Sequence, residues 1–387
     1  MARPVRIDEE QALYFRARRG HLAGPGAPDP AAAAASILGA QSQQVPPSLL
    51  ALSQRTAGRP SAEELRALVF DQRRLVRTWG QRDTVHLYAA HDWPLVVAAR
   101  DEWAPGGRGG PPPPEPAVDR TLAHMLVERR PVTRSDVERL VPAAYEKAIG
   151  ERAKMAGIEA RRLAAARLLW RLNNRGDACI ADQVGKEQGY AAREHWFADL
   201  EWPALAPRHA AVSLARRYLA ANAPATPQDV AHFFNARVGA AREWLAALEA
   251  GGELVEVRCG DRDGLVALVA DAAELRRAPP RGAGDWPARL LPLWDTLLMS
   301  HADKSWTVPE ESERPLVWRK AAMVSSVVLA RGRVVGTWRQ KARSRRLEVT
   351  VSPLAGWTRR LETGVRRDAE GVARHLGLPE AVVSVGA

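Results

Sequence analysis

The sequence predicts an α+β fold of tandem winged helix-turn-helix modules followed by a small β domain. Two observations lead there. A capping box, a helical stretch and a short β ribbon follow one another three times, and residues 276–387 then change to strand-like runs. The boxes are Ser61-Ala62-Glu63-Glu64, Thr133-Arg134-Ser135-Asp136 and Thr226-Pro227-Gln228-Asp229. Each sets a hydroxyl at the N-cap and a carboxylate three residues on, which satisfies helix N–H groups that lack an intrahelical acceptor.

The first unit covers residues 1–104. Residues 9–18 read as an amphipathic helix and 25–30 as a loop. Residues 31–41 are Ala-rich and predict a helix with Ile37 and Leu38 turned inward. Pro46-Pro47 ends it or forces a turn. The first box opens a helix through Leu65 and Val69, and runs 75–79 and 84–88 flank Gly80-Gln81-Arg82-Asp83 as a first wing. Residues 105–118 are dominated by Pro and Gly and read as a linker. The second unit, 119–204, has a long helix over 143–173 and a wing near 178–190. The third, 205–275, is the most complete: its box, a second helix through Trp244, then runs 254–258 and 265–269 about a turn at 260–264. Helix, helix and two-stranded wing is a module that usually reads nucleic acid. In the tail, strands 324–329, 333–338 and 347–351 predict a small antiparallel sheet or barrel, with the basic segment 339–346 between the last two. A closing helix carries Val365, Val372 and Leu376.

Composition agrees with a nucleic-acid partner. The 387 residues carry a net charge of +11, and Lys and Arg on phosphates supply most non-specific DNA affinity by releasing counterions. Cys179 and Cys259 form no C-x-x-C pair, which argues against structural zinc or an iron–sulfur cluster. No apolar run reaches membrane length and no signal peptide opens the chain, so a cytoplasmic protein, nucleoid-associated when on DNA, is expected. No Walker loop, nucleophile elbow, H-E-x-x-H or dinucleotide fingerprint is present. From the residues alone a non-catalytic winged-helix transcriptional regulator stays open.

Four segments, in order, carry a resemblance: Gln41-Ser42-Gln43; Arg77-Thr78-Trp79-Gly80-Gln81-Arg82-Asp83-Thr84-Val85-His86; Leu291-Pro292-Leu293-Trp294-Asp295-Thr296-Leu297-Leu298-Met299-Ser300-His301; and Gly332-Arg333-Val334-Val335-Gly336-Thr337-Trp338-Arg339. Together they resemble the winged-helix DNA glycosylase family typified by AlkZ and YcaQ. The resemblance implies a C-shaped molecule with a basic concave face for duplex DNA and no metal or cofactor; such a clamp needs no dimer, so a monomer is expected. Family members excise N7-alkylated purines and unhook interstrand crosslinks made through N7, in antibiotic self-resistance or base excision repair. The family's catalytic pair is a glutamine, a usually apolar residue, then glutamine or aspartate. It carries over to Gln41 and Gln43, with Ser42 departing from the apolar middle position.

The chemistry fits such a pair. N7 alkylation makes the purine a cationic leaving group, so no strong general acid is needed. A glutamine carbonyl can orient water under C1′ and set negative dipole against an oxocarbenium-like sugar. With no amine in the pair, no Schiff base forms there and the strand is left uncut. The other candidates carry alternatives. Arg77, Arg82 and Thr84 either grip phosphates around the lesion or form a solvated hairpin. His86 and His301 either line the site or are satisfied buried histidines. Trp79 and Trp294 read as core, the alternative being base-stacking platforms, and Asp295 as half of a structural ion pair, the alternative being to orient a water or an arginine. Arg339, Lys341, Arg343, Arg345 and Arg346 are expected to grip DNA, the alternative being a solvated basic ribbon.

Overall fold

The computed structural model describes residues 3–103 and 111–386. All three capping boxes form. Ser61, Thr133 and Thr226 each accept from the N–H three residues on, and Glu64, Asp136 and Asp229 reach back to the cap N–H. Each box opens a helix: Ala62–Phe70, Arg134–Glu138 and Pro227–Phe234. The ribbons pair Leu75–Trp79 with Val85–Ala89, Ala178–Val184 with Glu187–Ala192, and Leu254–Cys259 with Arg262–Leu268, all antiparallel.

Each ribbon takes a third strand that alternation alone does not reveal. Ala40–Gln41 joins the first, Val132–Thr133 the second, and Val5–Ile7 the third, the last in parallel and from the far end of the chain. The Ala-rich helix is therefore shorter than expected, Pro30–Ser36. Leu38 and Gly39 take positive φ and turn the chain out of the helix, so that residue 40 can pair. Pro46 and Pro47 do not end a helix. They lie in the first turn of Val45–Ser53, where a missing N–H costs nothing.

Other expectations change as well. The helix over 143–173 is two helices, Ala143–Ala156 and Ala160–Arg175, because Gly157 ends the first in the left-handed region. The linker read over 105–118 lies partly outside the described residues. Its last part opens helix Glu115–Glu128, which buries Ala117 and Val118. The third turn is only Gly260-Asp261. The C-terminal sheet is not a barrel. Its order is open, Arg289–Leu291, Val327–Ala330, Arg333–Ala342, Arg346–Pro353, Glu380–Val385, and its two edges stay apart. Helix Leu361–His375 covers its apolar face with Val365, Ala369 and Val372, so closure is not needed to bury it.

The units share cores. One apolar cluster joins Leu38 and Val76 to Cys179, Leu214, Trp244 and Leu268. Another joins Val5, Leu13 and Phe15 to Val257, Leu291 and Val327. Both cysteines are buried and free. Among the described residues no helix is long and apolar enough to cross a membrane, and no His, Cys, Asp and Glu group could hold a metal ion.

Candidate active site

Gln41 ends its short strand opposite His86, and the ladder continues as Ser42 N–H donates to Val85 O at 2.6 Å. An extended segment sends alternate side chains to opposite sides. Gln41 and Gln43 accordingly face the turn and strand of residues 82–86. The Gln41 Oε1 accepts from Arg82 Nη2 at 3.3 Å, and the Gln43 Oε1 accepts from Val85 N–H at 2.9 Å. Neither donor can accept, so the atom facing it must be the carbonyl oxygen. Each oxygen keeps a second lone pair, and each amide keeps its NH2. Gln41 is 6% exposed, whereas Gln43 is exposed to solvent.

Ser42 points the other way and is fully buried. Its hydroxyl receives Ser48 Oγ at 2.9 Å and Arg77 Nε at 3.3 Å. Its carbonyl receives Arg77 Nη2 at 2.9 Å and Nε at 3.2 Å. Arg77 Nη1 donates to Gln188 Oε1 of the second ribbon at 2.5 Å. The Ser at the usually apolar middle position is thus matched by a polar socket. Arg77, 7% exposed, is neither a solvated hairpin residue nor turned to solvent. Burial draws its guanidinium down to about 10, so it stays cationic at neutral pH.

The turn before His86 carries Arg82 and Asp83 at φ of 56° and 52°. Non-glycine residues there store roughly 1–3 kcal/mol each, and such strain concentrates at functional sites. The turn aims Arg82 at three acceptors: Gln41 Oε1, His86 Nε2 at 3.1 Å, and Phe233 O at 2.8 Å. Arg82 can only donate, so His86 Nε2 accepts and Nδ1–H donates to Thr84 O at 3.0 Å. Burial first, and the Arg82 charge second, hold His86 well below its ordinary range and keep it neutral. Thr84 is partly buried and its hydroxyl donates to Gln81 O. Below this layer Tyr88 stacks on His86 and donates to Gln81 Oε1. Gly80 is required there, since a Cβ would lie 1.7 Å from the Tyr88 Oη.

Open grooves flank the glutamine segment. One of about 720 Å³ is lined by Gln43, Arg66, Arg77, Asp182 and Gln188. A second, about 820 Å³, runs from Gln44 to Arg339 and Gln340.

Comparison with known proteins identifies the architecture. The family model described as DNA glycosylase AlkZ-like matches residues 34–375. The chain belongs to the AlkZ-like DNA glycosylase family. An interstrand DNA cross-link repair glycosylase of Streptomyces sahachiroi is 30% identical over 182 residues, which is 46% of this chain and 46% of that protein. The match thus spans about half the length of that curated relative. The solved structure of Streptomyces sahachiroi DNA glycosylase AlkZ superposes with a TM-score of 0.78 at 23% identity, covering 98% of this chain and 100% of that one.

Within the AlkZ-like frame the remaining candidates separate. Asp295 is a structural partner: Arg55 grips it with two hydrogen bonds of 2.8 Å, both side chains being 1% exposed or less. Trp294 is core. His301 is 6% exposed with Nε2 on Asn222 O at 3.0 Å, which places it in the interior and not on a surface that meets phosphate. The basic segment is the end of a hairpin, with Arg339 and Lys341 on one strand and Arg346 opening the next. All five cations are exposed. Glu348 pairs with Arg343 and Arg346, while Arg339, Lys341 and Arg345 have no ion pair among the described residues. Sequence reading missed Ser48 and Gln188 as supports, and Lys304 and His232 beside Arg82. None of these lies in a spacing pattern; only the packing of distant segments brings them in.

Proposed function

We propose that this chain is a monofunctional DNA glycosylase that hydrolyses the N-glycosidic bond of N7-alkylated guanine in duplex DNA, bulky adducts and interstrand crosslinks included. The three capped units act as winged helices arranged in a C around the duplex, and the exposed hairpin at 339–346 grips the backbone. The observation that carries this reading is the presentation of Gln41 and Gln43. Their carbonyl oxygens are each held by a hydrogen bond, Gln41 from Arg82 and Gln43 from Val85 N–H, and Gln43 lines an open groove instead of a closed pocket. Family membership favours this over a regulator.

In the reaction the C1′–N9 bond breaks and its electron pair neutralises the cationic base. Gln43, the exposed member, holds the water that adds to C1′, and Gln41 sets its dipole against the developing oxocarbenium. The water's proton leaves to solvent, since an amide is no base at neutral pH. An interstrand crosslink ties the base to the opposite strand and prevents full flipping. Open grooves suit that lesion.

The test is release of N7-methylguanine and of a bulky N7-guanine adduct from duplex DNA by the wild type and by Gln41→Ala/Gln43→Ala. We expect release by the wild type, alkali-labile abasic sites, loss in the double variant, and no borohydride-trapped adduct. No release by the wild type, with DNA binding intact, would move the assignment to a regulator.

A further inference from the structure

Arg82, which holds Gln41, has a second cation near it, Lys304, that the glutamine chemistry does not use. Arg82 reaches Phe233 O, one residue from His232. Lys304 Nζ stands 3.1 Å from His232 Nε2 and donates to His301 O at 2.6 Å. Arg82 and Lys304 are half-buried, and His232 is exposed, so the group opens to solvent. Neither Arg82 nor Lys304 has a carboxylate at ion-pair distance among the described residues. The nearby acids are engaged elsewhere: Asp229 with Thr226 and Ala302 N–H, Asp303 with Arg262, and Asp83 with Trp170 and Arg100. Two cations thus lie near one another without a direct ion-pair partner, Asp229 and Asp303 bearing on Lys304 only from a distance, and Arg82 sits on a left-handed turn. The Arg82 charge shows in the acidity of Lys304 and His232, against the opposing pull of Asp229 on both and of Asp303 on Lys304. Burial and then the Arg82 charge pull Lys304 down to about 8, and burial, Lys304 and Arg82 pull His232 to about 4.

Neighbouring cations with no carboxylate at ion-pair distance, open to solvent and braced by backbone carbonyls, make a site for an oxyanion. We propose that Arg82, Lys304 and His232 bind one backbone phosphate of the lesion strand and seat it beside Gln41. This rests on the glycosylase reading and adds a function for the seat. Arg82 touches Gln41, so its charge would oppose an oxocarbenium forming nearby. A phosphate held there neutralises that charge and fixes the register of the sugar against the glutamines.

Binding alone can test this. Anisotropy titrations would use duplexes carrying a tetrahydrofuran abasic analogue, between 50 and 200 mM salt, and a series in which single phosphates flanking it are replaced by methylphosphonate. Loss of one phosphate contact lowers the slope of log K against log salt by roughly 0.9. Lys304→Met should lose that increment and Lys304→Arg should keep it, with thermal melting confirming that both fold. One methylphosphonate position should weaken the wild type severalfold yet leave Lys304→Met unaffected. A wild-type slope for Lys304→Met, or equal sensitivity of both proteins at every position, overturns the proposal while leaving the glycosylase reading intact. A wild type that binds none of these duplexes removes both.

Discussion

Replacing Arg77 with Met separates the clamp on Ser42 from the phosphate grip that the sequence left open. Two nitrogens of the guanidinium hold the Ser42 carbonyl at 2.9 and 3.2 Å, and a third binds Gln188, all in a buried setting. Hydrogen bonds to a charged group contribute roughly 1.5–3 kcal/mol, and a buried carbonyl left without its donor loses about as much. Arg77→Met should therefore lower unfolding free energy by about 2–3 kcal/mol in urea titrations. The kinetic effect follows from position, because Ser42 is the backbone link between Gln41 and Gln43. A displacement near 1 Å at a reacting group costs on the order of 100-fold in rate, or about 2.7 kcal/mol of barrier. Single-turnover release of N7-methylguanine should slow by that factor, with Arg77→Lys between the two. The salt slope of DNA binding should stay at the wild-type value, since Arg77 faces protein acceptors. A slope reduced by roughly 0.9 would make Arg77 a phosphate contact after all. A wild-type rate in a destabilised protein would confine it to a structural part and refute the positioning argument.

Three further outcomes are expected. Asp295→Asn leaves Arg55 buried without its counter-charge and should cost roughly 3–5 kcal/mol of stability by denaturant titration; a loss below about 1 kcal/mol would contradict the pairing. Gly80→Ala drives a Cβ into the Tyr88 hydroxyl and should lower the melting temperature sharply. Adding Tyr88→Phe removes the nearest atom and should recover part of the loss, whereas no recovery would mean the clash lies elsewhere. His86 and His301 are both depressed by burial and by arginine charge, Arg82 and Arg16 respectively, so the unfolded chain binds more protons than the folded one. Their stabilisation is complete above the unfolded value near 6.5 and is lost as pH falls towards the depressed folded values. Urea midpoints should decline from pH 7 to 5, with each histidine contributing up to about 1.4 kcal/mol per pH unit. A flat profile would show that neither histidine is held neutral. Gln41 and Gln43, being amides, should add no titration of their own to excision between pH 6 and 8.

By itself the sequence determined whatever depends on neighbours along the chain. The capping boxes at Ser61, Thr133 and Thr226 work over three residues, and β-branched runs either side of a turn pair with each other. That local logic located the repeated helix–ribbon units, the basic hairpin and the closing helix. It did not show that Gln41 leaves the Ala-rich helix to pair with His86; once that pairing exists, alternation sets Gln41 and Gln43 on one side with Ser42 opposite. Tertiary structure decided what needs a distant partner. Val5–Ile7 has no signal for pairing with residues 254–259, since a parallel partner leaves no turn between the strands. Ala40–Gln41 is too short to announce itself and exists as a strand only because Val85–Ala89 is beside it. The open sheet at the C-terminus follows from a helix covering the face that a barrel would otherwise have closed upon. Burial drew the last distinctions. Arg77, Arg82 and Arg339 are equivalent letters in a basic chain. Packing makes the first a buried clamp on Ser42, the second a neighbour of Gln41, and the third a free cation at a groove, because a guanidinium's role is set by which acceptors the fold brings within reach.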